Sequence, residues 1–246
     1  MKPRVAMFAF TCCEGCGLAV IECENELLDV LNLIDLVEWR EGLSEKAEEY
    51  DIALVEGSIS THADEKKIKE IREKAKVLVA IGACATTGGL NALKNRYGMH
   101  EVKQMVYGKA GEQFDTIPAR PLRAVVPVDL ELHGCPIDRT EFLRVVRDVA
   151  LGKTPKLPDY PLCVECKKKE NVCVFFRGMT CMGPVVRAGC GAICPTFGDG
   201  CEGCRGLVSN PNENAHKETL AEHGLTVTEV LQHFDMFNSY TEDHLA

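Results

Sequence analysis

Eight cysteines, Cys163, Cys166, Cys173, Cys181, Cys190, Cys194, Cys201 and Cys204, run as C-x2-C-x6-C-x7-C, an eight-residue step, then C-x3-C-x6-C-x2-C. Thiolates at such spacings bind soft metals. Two sets of four match two sites. Zinc is the plainest occupant, because paired C-x2-C units also build zinc ribbons. Two features favour iron–sulfur clusters. Cys194-Pro195 and Cys135-Pro136 repeat a Cys-Pro pairing found beside such clusters. Four earlier cysteines complete a third set, and three sets of four suit a relay of redox centres better than three structural zincs.

That third set is Cys13, Cys16, Cys84 and Cys135. Each follows an apolar run of strand length. Val5–Phe10 leads into Cys13-Glu14-Gly15-Cys16, Val77–Ile81 into Gly82-Ala83-Cys84, and residues 124–132 into His133-Gly134-Cys135-Pro136. In a parallel sheet these loops converge on one edge and form a four-thiolate site. Neighbouring glycines let the backbone approach a bulky cluster and offer N–H groups to its sulfurs. Taken alone, Cys84 reads as a small buried hydrophobe, and that reading is kept for Cys12 and Cys23. Glu14 and Glu56 lie beside the set. A carboxylate at an apolar interface is pushed toward its neutral form and can relay protons. Glu56 ends a buried strand and is the stronger candidate. A hydrogen-bonded structural carboxylate is its plain alternative.

The elements that position these residues alternate. Strands are expected at Val5–Phe10, Asp51–Gly57 and Lys76–Gly82, with a weaker one over 124–132 interrupted by Pro127. Helices are expected from about Gly15 to Leu31, from a cap at Asp64 with Ile68, Ile71 and Ala75 inward, and from Asp138 with Phe142, Val146 and Val149 on one face. Continuous apolar strands between amphipathic helices indicate a parallel sheet covered on both faces, with ligands beyond the strand carboxyl ends. Lys153–Pro161 contains three prolines and reads as an extended connector. The cysteine-rich stretch beyond it has little apolar periodicity, so metals are expected to stand in for a core.

Composition narrows the class. Hydrophobic residues make up 46% and charged residues 26%, a globular mixture. The net charge of -9 opposes nucleic acid as a partner. No apolar run reaches the ~18–20 residues of a membrane span. The basic-then-apolar start lacks a twin-arginine pair and a cleavage site, so it reads as a strand and not a signal peptide. A cytoplasmic location is expected, where thiols stay reduced.

Several segments carry a family likeness. They are Thr11-Cys12-Cys13-Glu14-Gly15-Cys16, Val55–Thr61, Val79–Ala85, Gly134-Cys135-Pro136, Tyr160–Cys166, Cys181–Cys190 and Gly200–Gly206, with Glu229–Leu231 and Met236–Asn238 in the tail. With these, the chain resembles the small, electron-transferring subunit of [NiFe]-hydrogenases, and most of all the delta subunit of cytoplasmic NAD(P)-linked sulfhydrogenases. The resemblance implies an α/β, flavodoxin-like doubly wound sheet over residues 1–152, a linker at 153–161, a two-cluster iron–sulfur domain at 162–210 and a helical tail at 211–246. It implies three [4Fe–4S] clusters: a proximal one on Cys13, Cys16, Cys84 and Cys135, a distal one on Cys163, Cys166, Cys173 and Cys181, and a medial one on Cys190, Cys194, Cys201 and Cys204. A grouping that exchanges ligands between the last two sets stays open.

The implied partners are a [NiFe] large subunit and flavin or iron–sulfur acceptor subunits, with no nucleic acid and no membrane. Catalysis would lie outside this chain, with Glu14 and Glu56 as candidate proton relays. Lys167, Lys168 and Lys169 either dock an acidic partner or form a solvated turn. The alternatives are the small subunit of an F420-linked or electron-bifurcating hydrogenase, or a zinc-stabilised binding module.

Overall fold

Val5, Ala6, Ala53, Val55, Leu78, Val79 and Ala80 are fully shielded from solvent in the computed structural model, which describes residues 2–226, 228 and 235–240. Their strands are β1 (Arg4–Ala9), β3 (Ile52–Glu56) and β4 (Val77–Ile81), flanked by β2 (Asp35–Trp39) and β5 (Leu130–Leu132). The order is β2-β1-β3-β4-β5, and every neighbouring pair is parallel. This is the doubly wound order expected of a flavodoxin-like sheet.

Alternation along the strands sends side chains to both faces. Ala6, Phe8, Ala53, Val55, Leu78 and Ala80 pack with Ile68 and Ile71 of helix α3 (His62–Lys74). On the other face, Met7 meets Gly17 of α1 (Gly15–Ile21). Helices α2 (Glu24–Leu31) and α6 (Arg139–Ala150) pack with α1. Short helix α4 (Gly82–Thr87) follows β4 directly, and α5 (Met99–Tyr107) buries none of its residues.

Several local expectations are corrected. The single helix over 15–31 is two helices, parted where Glu24 takes a φ of 45° and Cys23 turns inward, its Sγ 3.4 Å from Ala19 O. Strand β2 has no counterpart in the sequence reading. It is a half-exposed edge strand and lacks the continuous apolar run of the buried ones. Thr61, not Asp64, caps α3: its hydroxyl accepts the Asp64 N–H at 3.0 Å, and the Asp64 carboxylate accepts the Ser60 N–H at 3.3 Å. Pro127 precedes β5 instead of interrupting it, which leaves that strand three residues long. Asp138 caps α6 as expected, accepting the Glu141 N–H at 2.8 Å.

The described residues form two compact units, one reaching Pro155 and including Ser239 and Tyr240, the other Lys156–Asn238. The second unit holds α7 (Cys163–Lys168), α8 (Ile193–Thr196) and α9 (Glu213–Glu222). It also has an apolar cluster that the sequence pattern does not announce. Leu162, Val174, Phe175, Met182, Val185, Val186 and Leu220 are buried together. Apart from Leu220 on α9 they come from short turns and loops, too short for a period to mark them. The tail residues Glu229–Leu231 lie outside the described residues.

Candidate metal centres

In the first unit, backbone pairing continues past the strand ends and draws three loops together. The Phe10 N–H donates to Glu56 O at 2.9 Å, and the Ser58 N–H to Thr11 O at 2.9 Å. The Ala83 N–H donates to Gly134 O at 2.7 Å, which ties the loop after β4 to the loop after β5. The result is a cleft of about 360 Å3, counting its open mouth, bordered by Cys12, Cys13, Cys16, Glu56, Cys84 and Cys135. All four cysteines of the strand-end set are therefore brought together. Cys12, which the sequence presents as a spare thiol, joins them; its adjacency to Cys13 is the available signal.

Gly82 makes the approach possible. Its φ is +83°, and a Cβ there would overlap the Cys16 sulfur. Burial pushes the Cys84 and Cys12 thiols up to about 12, and the neighbouring cysteines add to the shift. Burial also pushes Cys16 and Cys135 up, while the Ile137 N–H, aimed at the Cys16 sulfur, opposes this. A cluster of partly buried thiols that repel one another as thiolates is poorly suited to being empty and anionic. Bound iron reverses that balance. Thiol donors, a glycine gap and an N–H directed at sulfur all fit a sulfur-ligated cluster.

Glu56 is 2% exposed at the end of β3. Burial pushes its carboxyl up, N–H bonds from Gly17 and Cys16 pull the other way, and one oxygen has no partner. Glu14 instead forms an ion pair with Arg40 at the surface, in a left-handed backbone conformation with φ 62°.

The second unit sorts its eight cysteines. Cys163 and Cys166 occupy one face of α7, three residues apart. Burial pushes Cys163 up to about 12, reinforced by Cys181, Cys166 and Cys173. Cys194 is raised by burial and then by Cys190. Cys201 is raised by burial, opposed by the Gly203 N–H, and feels Cys181, Cys204 and Cys190. Cys163 thus feels cysteines of the first run and Cys194 one of the second, while Cys201 feels both. The Cys201 N–H donates to the Cys181 sulfur at 3.2 Å, and the Met182 N–H to Cys201 O at 2.8 Å. Gly200 allows this clasp, since a Cβ there would overlap Thr180 O. The Gly183 N–H adds a second bond to the Cys181 sulfur at 3.4 Å.

Among the described residues, no three His, Cys, Asp or Glu side chains are arranged to hold a single metal ion. All fourteen cysteines are free thiols. No described helix is long and apolar enough to cross a membrane.

Residues 13–149 match the family described as NADH ubiquinone oxidoreductase, 20 Kd subunit. The chain is 36% identical to the delta subunit of sulfhydrogenase 2 of Pyrococcus furiosus, over 89% of this chain and 92% of the relative. It is 25% identical to the iron-sulfur subunit of the F420-non-reducing hydrogenase of Archaeoglobus profundus, over 85% of this chain and 83% of the relative. A crystal structure of an NAD+-reducing [NiFe]-hydrogenase in the H2-reduced state contains a chain that superposes with a TM-score of 0.58 and 25% identity, covering 64% of this chain and 96% of that one.

Proposed function

The chain belongs to the NADH ubiquinone oxidoreductase 20 Kd subunit family, among the small, electron-transferring subunits of [NiFe]-hydrogenases, and from that premise we propose that it carries electrons through three [4Fe–4S] clusters. The observation that carries this reading is the meeting of four thiols from three strand ends around one glycine-walled cleft. Cys13, Cys16, Cys84 and Cys135 would hold the proximal cluster. Cys163, Cys166, Cys173 and Cys181 would hold the distal one, and Cys190, Cys194, Cys201 and Cys204 the medial one. When bound, the clusters supply one-electron carriers between the nickel–iron site of a large subunit and a flavin or iron–sulfur partner.

This chain's residues supply the setting. Gly82 leaves the space that Cys16 needs, and the Ile137 N–H stabilises negative charge on its sulfur. Glu56 holds or passes a proton at its unpartnered oxygen, whereas Arg40 keeps Glu14 occupied at the surface. The Pyrococcus and Archaeoglobus relatives are named as hydrogenase subunits and the structural neighbour as NAD+-reducing. These names support a nicotinamide-linked partner over an F420-linked one. A chain that uses twelve of its fourteen cysteines as metal ligands suits a reducing, cytoplasmic setting.

The test is metal content and spectroscopy on anaerobically purified protein. About twelve irons per chain are expected, with absorbance near ~400 nm that bleaches on reduction. Zinc in a colourless protein would overturn the reading. In the hydrogenase complex, Glu56→Gln should slow hydrogen uptake while the cluster spectra stay the same. Undiminished uptake would remove Glu56 from the proton path.

A further inference from the structure

Phe176 and Phe197 are 76% and 82% exposed, an unusual state for the largest apolar side chains of a small unit. They belong to one face of the cysteine-rich unit. The Arg177 guanidinium fills the space beside Gly198 that a Cβ would occupy, next to Phe197 in sequence. The Lys169 ammonium lies over Gly191, and the Asn171 amide donates to the Thr196 hydroxyl at 3.1 Å. These contacts join the 167–177 and 191–198 segments into a continuous surface. Phe176 is not loose on it: the His223 ring meets it edge-on with centroids 5.3 Å apart. An exposed aromatic held in one orientation loses little freedom on binding, which is the character of an interface anchor.

Charge sharpens the picture. Within residues 167–177 and 191–199, Lys167, Lys168, Lys169 and Arg177 are exposed, against two exposed carboxylates, Glu170 and Asp199, with Glu222 exposed beside His223. None of the four cations is paired with a carboxylate among the described residues. The chain as a whole carries a net charge of -9, so this patch reverses the prevailing sign. Cys173, a proposed distal ligand, is exposed between Val172 and the Phe176 turn.

We propose that this face docks an electron-carrier protein whose contact surface is acidic and frames a redox group near that surface. The two phenylalanines seat the partner, and the cations orient it over Cys173. The inference rests on the electron-transfer reading above.

The test is calorimetric binding of an oxidised plant-type [2Fe–2S] ferredoxin, an acidic carrier, to the cluster-loaded full chain, with basic cytochrome c as the contrast. The ferredoxin should bind more tightly than cytochrome c, and added salt should weaken it. Combined Lys167→Glu, Lys168→Glu and Lys169→Glu should lower its affinity about tenfold or more. Combined Phe176→Ser and Phe197→Ser should do the same. Iron content and cluster spectra should match the parent in both variants. Parental affinity in both variants overturns the docking proposal and leaves the cluster reading standing. Equal binding of cytochrome c overturns it too, as does self-association that the phenylalanine changes abolish without affecting ferredoxin. The expected binding pattern in a chain without cluster spectra would keep the docking face and remove the electron-transfer reading.

Discussion

The two units hold cysteines in opposite ways. In the α/β unit, Cys16, Cys84 and Cys135 hang from the ends of a parallel sheet whose central strands are buried on both faces. Their positions follow from backbone hydrogen bonds and apolar packing among the strands and helices around them. Among the described residues of the second unit the longest helix is α9, ten residues, and the cysteines sit on short helices and loops around a modest apolar cluster. One site is built on a scaffold; in the other the ligands are much of the scaffold. A metal centre of the second kind couples binding to folding, while one of the first kind need not.

Removing iron tests this contrast most severely. Chelated protein should lose protease resistance across Lys156–Asn238 while the unit ending at Pro155 survives digestion with its circular dichroism intact. Simultaneous loss of both units, or of neither, would break the comparison. Single ligand changes come next. Cys84→Ser should remove or convert one cluster, costing up to about four irons, with the fold preserved. Cys181→Ser should cost up to about eight, because its sulfur also receives the Cys201 N–H. Equal losses from the two substitutions would erase the distinction.

A smaller effect is expected from Gly82→Ala. The strained φ should cost on the order of 1–3 kcal/mol, and the overlap with Cys16 should unseat the proximal cluster while leaving the other two spectra unchanged. Urea titration together with electron paramagnetic resonance reads both. Mild acid gives the gentlest discrimination. Lys76 and the Arg4 N–H hold Asp51 below its ordinary 3.8, and Arg72 outweighs burial to lower Asp129. A carboxylate lowered on folding stabilises above its unfolded value, and that stability fades as pH falls through the folded one. The α/β unit should therefore keep its circular dichroism until pH falls below about 4. Cluster absorbance should vanish earlier, as thiolates gain protons.

Legibility in the sequence follows the same divide. Strands β1, β3 and β4 announce themselves because both faces are buried, and that produces unbroken apolar runs. With three strand ends in place, the gathering of Cys13, Cys16, Cys84 and Cys135 follows from topology. Strand β2 is silent because an edge strand needs only half-buried side chains. The break at Cys23–Glu24 is silent because both flanking segments keep helical spacing. Cys12 stays hidden because a thiol adjacent to a ligand looks like a spare until the loop is folded. In the second unit, spacing points to two sets of four, with an exchange of ligands between them left open, and carries no sign of Val174, Phe175 and Val185 packing together. Contacts among irregular segments have no period to read.

The clasp between Cys181 and Cys201 has a consequence for how such a chain can vary over time. A proposed ligand of one set receives its hydrogen bond from the backbone of a proposed ligand of the other, and Gly200 must stay small for the two to meet. Neither set can be shed or traded for a different centre without disturbing its neighbour. The eight cysteines are expected to be inherited as a block, whereas the four at the sheet edge are free to change on their own.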